Sequence, residues 1–418
     1  MRSSIRLLRE NPEFTKLWLA QVVSLIGDWF NTIVLSALVV AYTDGSGLAL
    51  GFFLLSRFLP PLVVTPLAGV LVDRWDRKKL LLWSNLLRAV IVPFFLLAGS
   101  PDQLWIIYFI TITQFTLSAI FEPGQAAIIP SLIKPGDLVR ANTLVSITWS
   151  VMLAFGAIFG GVFATTFGNS AAILFDALTF AVAGGLIAAI RYIPEQRPLD
   201  FVHNHSDTSF RQGLKYIRHH RDVSMAIFVK IGTHLGNVDT LMTIFATQLF
   251  VLGNGGELSL GILYSIFGVG AFLGPVLANR FNDGTVPRMR RLIIWGFVGI
   301  ALGWFIMGGA NSLWIVGIGL FMRAIGGSIN WTYSTIIIQK TSANAYLGRM
   351  FSLDMAGFQL ATVLSTLIHG GLIDLGGAQS AMLIALGTGI VSIIPLLIWY
   401  WLIPRVEQRE AMANTLQA

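Results

Sequence analysis

Eleven ionisable residues interrupt runs of sequence that are otherwise apolar, and they are the side chains with the means to do chemistry. They are Asp28, Arg57, Arg88, Glu122 and Asp176, then Lys230, His234, Asp239, Arg323, Asp354 and His369. Placing such a group inside a bilayer costs on the order of 2.5–3.5 kcal/mol on insertion scales, so it must pair, face water or perform a task. Asp28 lies about twelve residues into its run, roughly 18 Å deep at 1.5 Å per residue. A carboxyl there fits two roles: it cycles a proton or holds a substrate, or it pairs with Arg57. Glu122, next to Pro123, has the same choice between carrying a proton and pairing with Arg88. Asp176 reads as a packing or capping acid and Lys230 as a side chain that snorkels to the surface. Asp354 reads as an acid near a helix N-terminus. His234 and His369 read as polar packing residues. Lys230 and Asp239 are nine residues apart and do not share a helix face at one-turn spacing.

The elements that must position these groups are apolar helices. The chain has 418 residues, 55% hydrophobic and 12% charged, against about 25% charged in a soluble domain. A span needs roughly 20 apolar residues. Spans are expected at about 16–43, 48–72, 79–99, 103–130, 141–166, 170–193, 223–251, 258–279, 290–309, 312–339, 349–373 and 378–403. The net charge of +7 would suit nucleic acid if it were clustered on one patch, but it is not. With the N-terminus in the cytoplasm, all of the 28 Lys and Arg except Arg57, Arg88, Lys230 and Arg323 fall on cytoplasmic segments. That asymmetry predicts both termini inside. Arg2 to Glu10 is a basic amphipathic lead-in. The absence of cysteine excludes disulfide and thiol chemistry.

Between the second and third spans stands Gly69-Val-Leu-Val-Asp73-Arg74-Trp-Asp76-Arg77-Lys78-Lys79. It resembles the G-x-x-x-D-R-x-x-R-K loop of the major facilitator superfamily, with Asp76 where glycine is often found. Asn11 to Trp18, Ser24 to Trp29, Pro123 to Pro130, Leu138 to Asn142, Phe175 to Phe180 and Leu347 to Ser352 resemble the bacterial drug-efflux branch that includes macrolide and enterobactin exporters. Gly156-Ala-Ile-Phe-Gly160-Gly161 resembles the antiporter motif G-P-x-x-G-G, with Ala157 in place of proline. Small residues there let helices approach closely. The superfamily often has R-x-x-x-G in span 4. Here Glu122 is the only charge in that span, and Arg323-Ala-Ile-Gly326-Gly327 in span 10 carries the pattern instead.

The resemblance implies an all-α membrane protein of 12 transmembrane helices in two pseudo-symmetric six-helix bundles, residues 1–193 and 223–418, joined by a cytoplasmic loop at 194–222. It implies a proton-coupled antiporter that exports small hydrophobic or amphipathic compounds from the bacterial plasma membrane by alternating access. An importer or uniporter on the same fold and, more remotely, a receptor are the alternatives. Asp28, Arg57, Glu122 and Arg323 are the candidates for proton coupling or the substrate cavity. Gly69, Asp73, Arg74, Arg77 and Lys78 would form the cytoplasmic gate, with Asp73 facing the N-terminus of span 11 near Gly348 and Arg349 as a latch. Gly156, Gly160 and Gly161 would pack helices. The expected partners are the substrate, protons and the lipid bilayer, with a functional monomer, no nucleic acid, no metal and no cofactor beyond the proton gradient.

The halves show internal similarity. Ser24 to Asp28 matches Thr233 to Asn237, Gly160-Gly161 matches Gly370-Gly371, and Asp73-Arg74-Trp75 matches Asn279-Arg280-Phe281. The loop histidines His203, His205, His219 and His220 lack zinc-ligand spacing. Trp29, Phe30, Trp149, Trp331 and Tyr333 are the aromatics placed to line a greasy cavity. No Walker loop, H-E-x-x-H or G-x-S-x-G is present, so neither ATP drive nor hydrolytic catalysis is expected.

Overall fold

The computed structural model describes residues 2–134, 137–191, 215, 217–218, 220–342 and 346–417. Among these residues every regular element is helical. In chain order the helices are α1 Arg2–Glu10, α2 Pro12–Tyr42, α3 Gly47–Arg74, α4 Arg77–Ile91, α5 Leu104–Leu132, α6 Leu138–Phe167 and α7 Asn169–Ala188. There follow α8 Arg221–Thr233, α9 Asp239–Ile244, α10 Glu257–Asn279, α11 Val286–Gly308, α12 Leu313–Thr341, α13 Leu347–Gly376 and α14 Ala381–Gln417. Eleven stretches among the described residues are long and apolar enough to cross a membrane.

The expected seventh span, 223–251, is not one continuous helix. It breaks after Thr233, resumes as α9, and finishes in a π-turn at Phe245–Leu249. Gly236 and Asn237 sit at the break. Irregular backbone survives at membrane depth only where protein satisfies its polar groups, and here Arg323, His369 and Ser365 do so.

Local chemistry sets the other boundaries. Pro12 starts α2, where its missing N–H costs nothing. Pro93 cannot continue the α-ladder of α4, and the chain tightens into a 3-10 turn at Val92–Leu97. Asp44 and Gly45 take positive φ to turn the chain between α2 and α3, and the Gly45 N–H donates back to the Val40 carbonyl. Asp76 caps α4, its carboxylate accepting from the Lys79 N–H at 3.0 Å.

The chain divides into two compact units. The first comprises Met1–Glu195, Met242–Gly268 and Gly370–Ala378, and the second the remainder. In the first unit α2 packs on α6 and α7, α3 on α5, and α4 on α5 and α7. Two apolar clusters form its core. One holds Phe30, Val34, Leu50, Phe53, Phe95, Ile107 and Phe180, the other Phe14, Leu17, Leu81, Phe121, Ile128 and Ile187. Along α2, α4 and α5 the residues falling between these clusters include Ser24 and Asp28, Asn85 and Arg88, and Gln114. The candidate chemistry therefore occupies a polar layer between two packed apolar ones.

In the second unit α11 packs on α12 and α14, and α12 on α8. Gly326 of α12 meets the Gly296 carbonyl of α11 so closely that a Cβ has no room. In lipid such packing replaces the hydrophobic effect as the force between helices.

The two units repeat one contact. A Cβ on Gly27 would strike Thr179, and a Cβ on Gly236 would strike Thr388. Both glycines and both threonines are separated from their counterparts by the same 209 positions (27 to 236, 179 to 388). A shared contact at a shared offset is stronger evidence of duplication than matched glycines alone.

Candidate functional site

Asp28 sits on α2 one residue after Gly27, whose missing Cβ admits Asp176 and Thr179 of α7. One turn further along the same face is Asn31. The Gln114 amide of α5 donates to Asp28 Oδ1 at 3.2 Å, and the Asn31 amide donates to Gln114 Oε1 at 3.3 Å and to Asp176 Oδ2 at 2.7 Å. These bonds make a continuous line, Asp28–Gln114–Asn31–Asp176, across three helices. Asn31, Gln114 and Asp176 are buried, and Asp176 Oδ1 has no hydrogen-bond partner. A small recess of about 10 Å³, roughly the room one water needs, is bounded by Asp28, Asn31, Thr32, Arg57, Thr111 and Gln114.

Two cations face this line. Arg57 bounds the same recess, with its guanidinium 4.9 Å from the Phe115 ring centre. Arg88 is buried with its guanidinium 4.4 Å from the Phe180 ring centre, donating to the Ser84 carbonyl at 3.1 Å. It lies within electrostatic reach of Asp28, Asp176 and Glu122. The structure thus brings Asp28 and Arg57 to one recess, while Glu122 is exposed on α5. Asp176, expected as a packing or capping acid, is a full member of the line. Asn31 and Gln114 were missed by sequence reasoning. The signal for Asn31 was its i,i+3 spacing from Asp28; Gln114 was visible only as an amide in an apolar run.

Arg323 belongs to the second unit. Its Nη2 donates to the Gly236 carbonyl at 2.7 Å, and its guanidinium lies 5.2 Å from the Trp304 ring centre. His369 Nδ1 donates to the Asn237 carbonyl at 3.0 Å, and the Asn237 N–H donates to Ser365 Oγ at 3.0 Å. Arg323, His369 and Ser365 therefore satisfy the backbone groups released where the span breaks. That is a physical reason for an arginine and a histidine at this depth.

Lys230 and Asp354 correct the sequence expectation outright. Lys230 does not snorkel to the surface and Asp354 does not serve α13 alone: their side chains, 1% and 0% exposed, form an ion pair. Trp331 roofs the pair, with its ring centre 4.2 Å from Lys230 Nζ. His234 packs edge-on against Phe358 at 4.4 Å and donates to the Lys230 carbonyl. Among the expected cavity aromatics, Phe30 and Tyr333 are instead buried core residues.

Of the gate motif, Gly69, Asp73 and Arg74 end α3, and their side chains lie outside the described residues, as do those of Gly348 and Arg349. Arg77 is buried and donates to the Ala127 carbonyl at 2.8 Å, and Lys78 donates to the Ile190 carbonyl at 2.7 Å. Both cations thereby bind backbone oxygens of neighbouring segments, Lys78 just past the C-terminal end of α7. In α6, Gly156 makes room for the Trp29 side chain, Gly160 for the backbone of Phe30, and Gly161 for the Glu257 carbonyl at the start of α10. His203, His205 and His219 fall outside the described residues. Among the described residues no group of three His, Asp or Glu is arranged to hold a metal.

The profile described as Major Facilitator Superfamily matches residues 17–289 and 237–416. A Bacillus subtilis protein named "Putative bacilysin exporter BacE" is 27% identical over 370 residues, covering 87% of this chain and 89% of the relative. Macrolide efflux protein A of Streptococcus pyogenes is 25% identical over 405 residues, covering 91% and 94%. Among solved structures, the nucleoside transporter NupG superimposes with a TM-score of 0.69 at 13% identity, over 93% of this chain and 99% of that one. A bacterial homologue of the iron transporter ferroportin gives 0.71 at 14% identity, over 93% and 98%. The match spans both ends of the chain and the fold agrees with it: the protein belongs to the Major Facilitator Superfamily and is a multi-pass membrane transporter, not an enzyme.

Proposed function

We propose that this transporter exports small hydrophobic or amphipathic compounds in exchange for protons, by alternating access in the bacterial plasma membrane. The observation that carries the coupling is the buried line Asp28–Gln114–Asn31–Asp176, with Arg57 and Arg88 beside it. Two carboxyl groups joined by amides and flanked by cations form a site that can hold a proton or release it at little structural cost. Export is supported by the names of the relatives, one for bacilysin and one for macrolides. The crossings number twelve with the broken stretch 221–249 as the seventh, and both termini face the cytoplasm by charge asymmetry. No cofactor is needed, and the monomer is the working unit. Arg323 serves the second unit by holding the broken span.

The test is dye transport in everted membrane vesicles. Ethidium should accumulate when the vesicle interior is made acid, and an uncoupler should release it. Flux that ignores collapse of the gradient removes proton coupling. Accumulation only with the opposite gradient makes the protein an importer.

A further inference from the structure

We propose that Asp374 is the latch that closes the transporter at its outer end. It sits in the last turns of α13, in the segment Gly370–Ala378 that clusters with the first unit. One carboxylate oxygen accepts from the Gly47 N–H at 2.6 Å and the other from Leu48 N–H at 3.3 Å and Ser46 Oγ at 3.1 Å. Those are the first residues of α3. The next two donors of that helix are met locally, Ala49 N–H by Ser46 Oγ and Leu50 N–H by the Ser46 carbonyl. Asp374 thus supplies the two partners that the N-terminus of α3 does not supply for itself, and its charge suits the positive end of the helix. The fit is close as well as charged. A Cβ on Gly370 would stand 2.5 Å from the Gly47 carbonyl, and a Cβ on Gly47 would stand 2.6 Å from the Gly370 carbonyl.

The start of α10 is built differently. There Glu257, at the head of its own helix, accepts from Gly255 N–H at 2.8 Å, while Gly161 provides the close approach. An acid borrowed from a segment 327 residues away is therefore specific to the α3–α13 contact. The same two helices carry the expected Asp73 latch at their cytoplasmic ends. With the acid expected from the sequence at the other end of the same two helices, the pair would act as a two-ended switch in which engaging one latch favours release of the other. This inference rests on the alternating-access reading.

The chain lacks cysteine, so paired nitroxide labels can be placed cleanly. Phe52 and Leu375 are exposed and flank the latch. With labels there, in liposomes without substrate or gradient, the short-distance population should dominate. Asp374→Asn should lower the short-to-long ratio about five-fold, the size expected for losing a charged helix cap. Gly370→Ala should lower it with the acid intact, and Asp374→Glu should restore part of it. An unchanged ratio in Asp374→Asn overturns the latch. The distances are read without transport, so a wild type that moves no dye, beside this shift in Asp374→Asn, refutes the proposed export and leaves the latch standing.

Discussion

Replacing Asp354 by leucine strips Lys230 of its counter-ion inside the second unit. Both side chains are almost fully buried, so neither water nor salt can substitute for the lost partner. Breaking a buried pair from one side typically costs 3–5 kcal/mol, because a charge is left uncompensated. The Trp331 face beside Lys230 is present before and after the change. It returns at most about 2 kcal/mol by drawing the ammonium closer. The net expectation is a loss of about 1–5 kcal/mol. Lys230→Met alone should cost a similar amount, by orphaning the carboxylate. The double variant Lys230→Met/Asp354→Leu removes both charges and fills the space with apolar atoms, so it should recover to within about 1 kcal/mol of wild type. Reversible unfolding in mixed micelles, read as a double-mutant cycle, measures all three. Single losses that simply add in the double variant would contradict the pairing, since they would mean the two groups do not depend on each other.

The contacts at the break and along α6, and the charged motif at the end of α3, each carry an expected outcome. His369→Leu removes the donor to the Asn237 carbonyl at the break and should destabilise by about 1–3 kcal/mol, the cost of an orphaned buried acceptor; equal unfolding midpoints would speak against that role. Gly156→Val forces methyl groups into the Trp29 side chain and should cost about 1–3 kcal/mol, visible as lower thermal stability, whereas Gly168→Ala meets no neighbour and should cost only what its positive φ imposes. Asp73→Asn should loosen the cytoplasmic gate and slow turnover without altering which compounds are carried. A changed resistance profile at normal turnover would contradict it.

Much of the architecture was readable because the bilayer imposes simple rules. Apolar run length anticipated the helices. The seventh span failed for an identifiable reason. Its composition reads as a continuous helix, and the break at Gly236-Asn237 exists because Arg323, His369 and Ser365 wait on other helices to satisfy it. No local pattern announces partners 87 to 132 residues away. The same limit explains Lys230 and Asp354. Each had a plausible local role, and their pairing is a fact of tertiary packing alone. In the candidate site the acids were conspicuous, being costly in a membrane. The amides that join them were not, because Asn31 and Gln114 carry no charge and fit equally well as ordinary polar packing.

Asp28 is the acid on which proton coupling is proposed to depend, and exchanging it for asparagine tests that dependence. Everted vesicles containing wild type, Asp28→Asn or Asp28→Glu would be given the same acid-inside gradient and the same ethidium load, with membrane abundance matched. Uncoupler-sensitive accumulation is expected in wild type, partial accumulation in Asp28→Glu, and at least about a ten-fold loss in Asp28→Asn, equivalent to about 1.4 kcal/mol. Wild-type accumulation in Asp28→Asn, still released by the uncoupler, would show that the proton travels by another route.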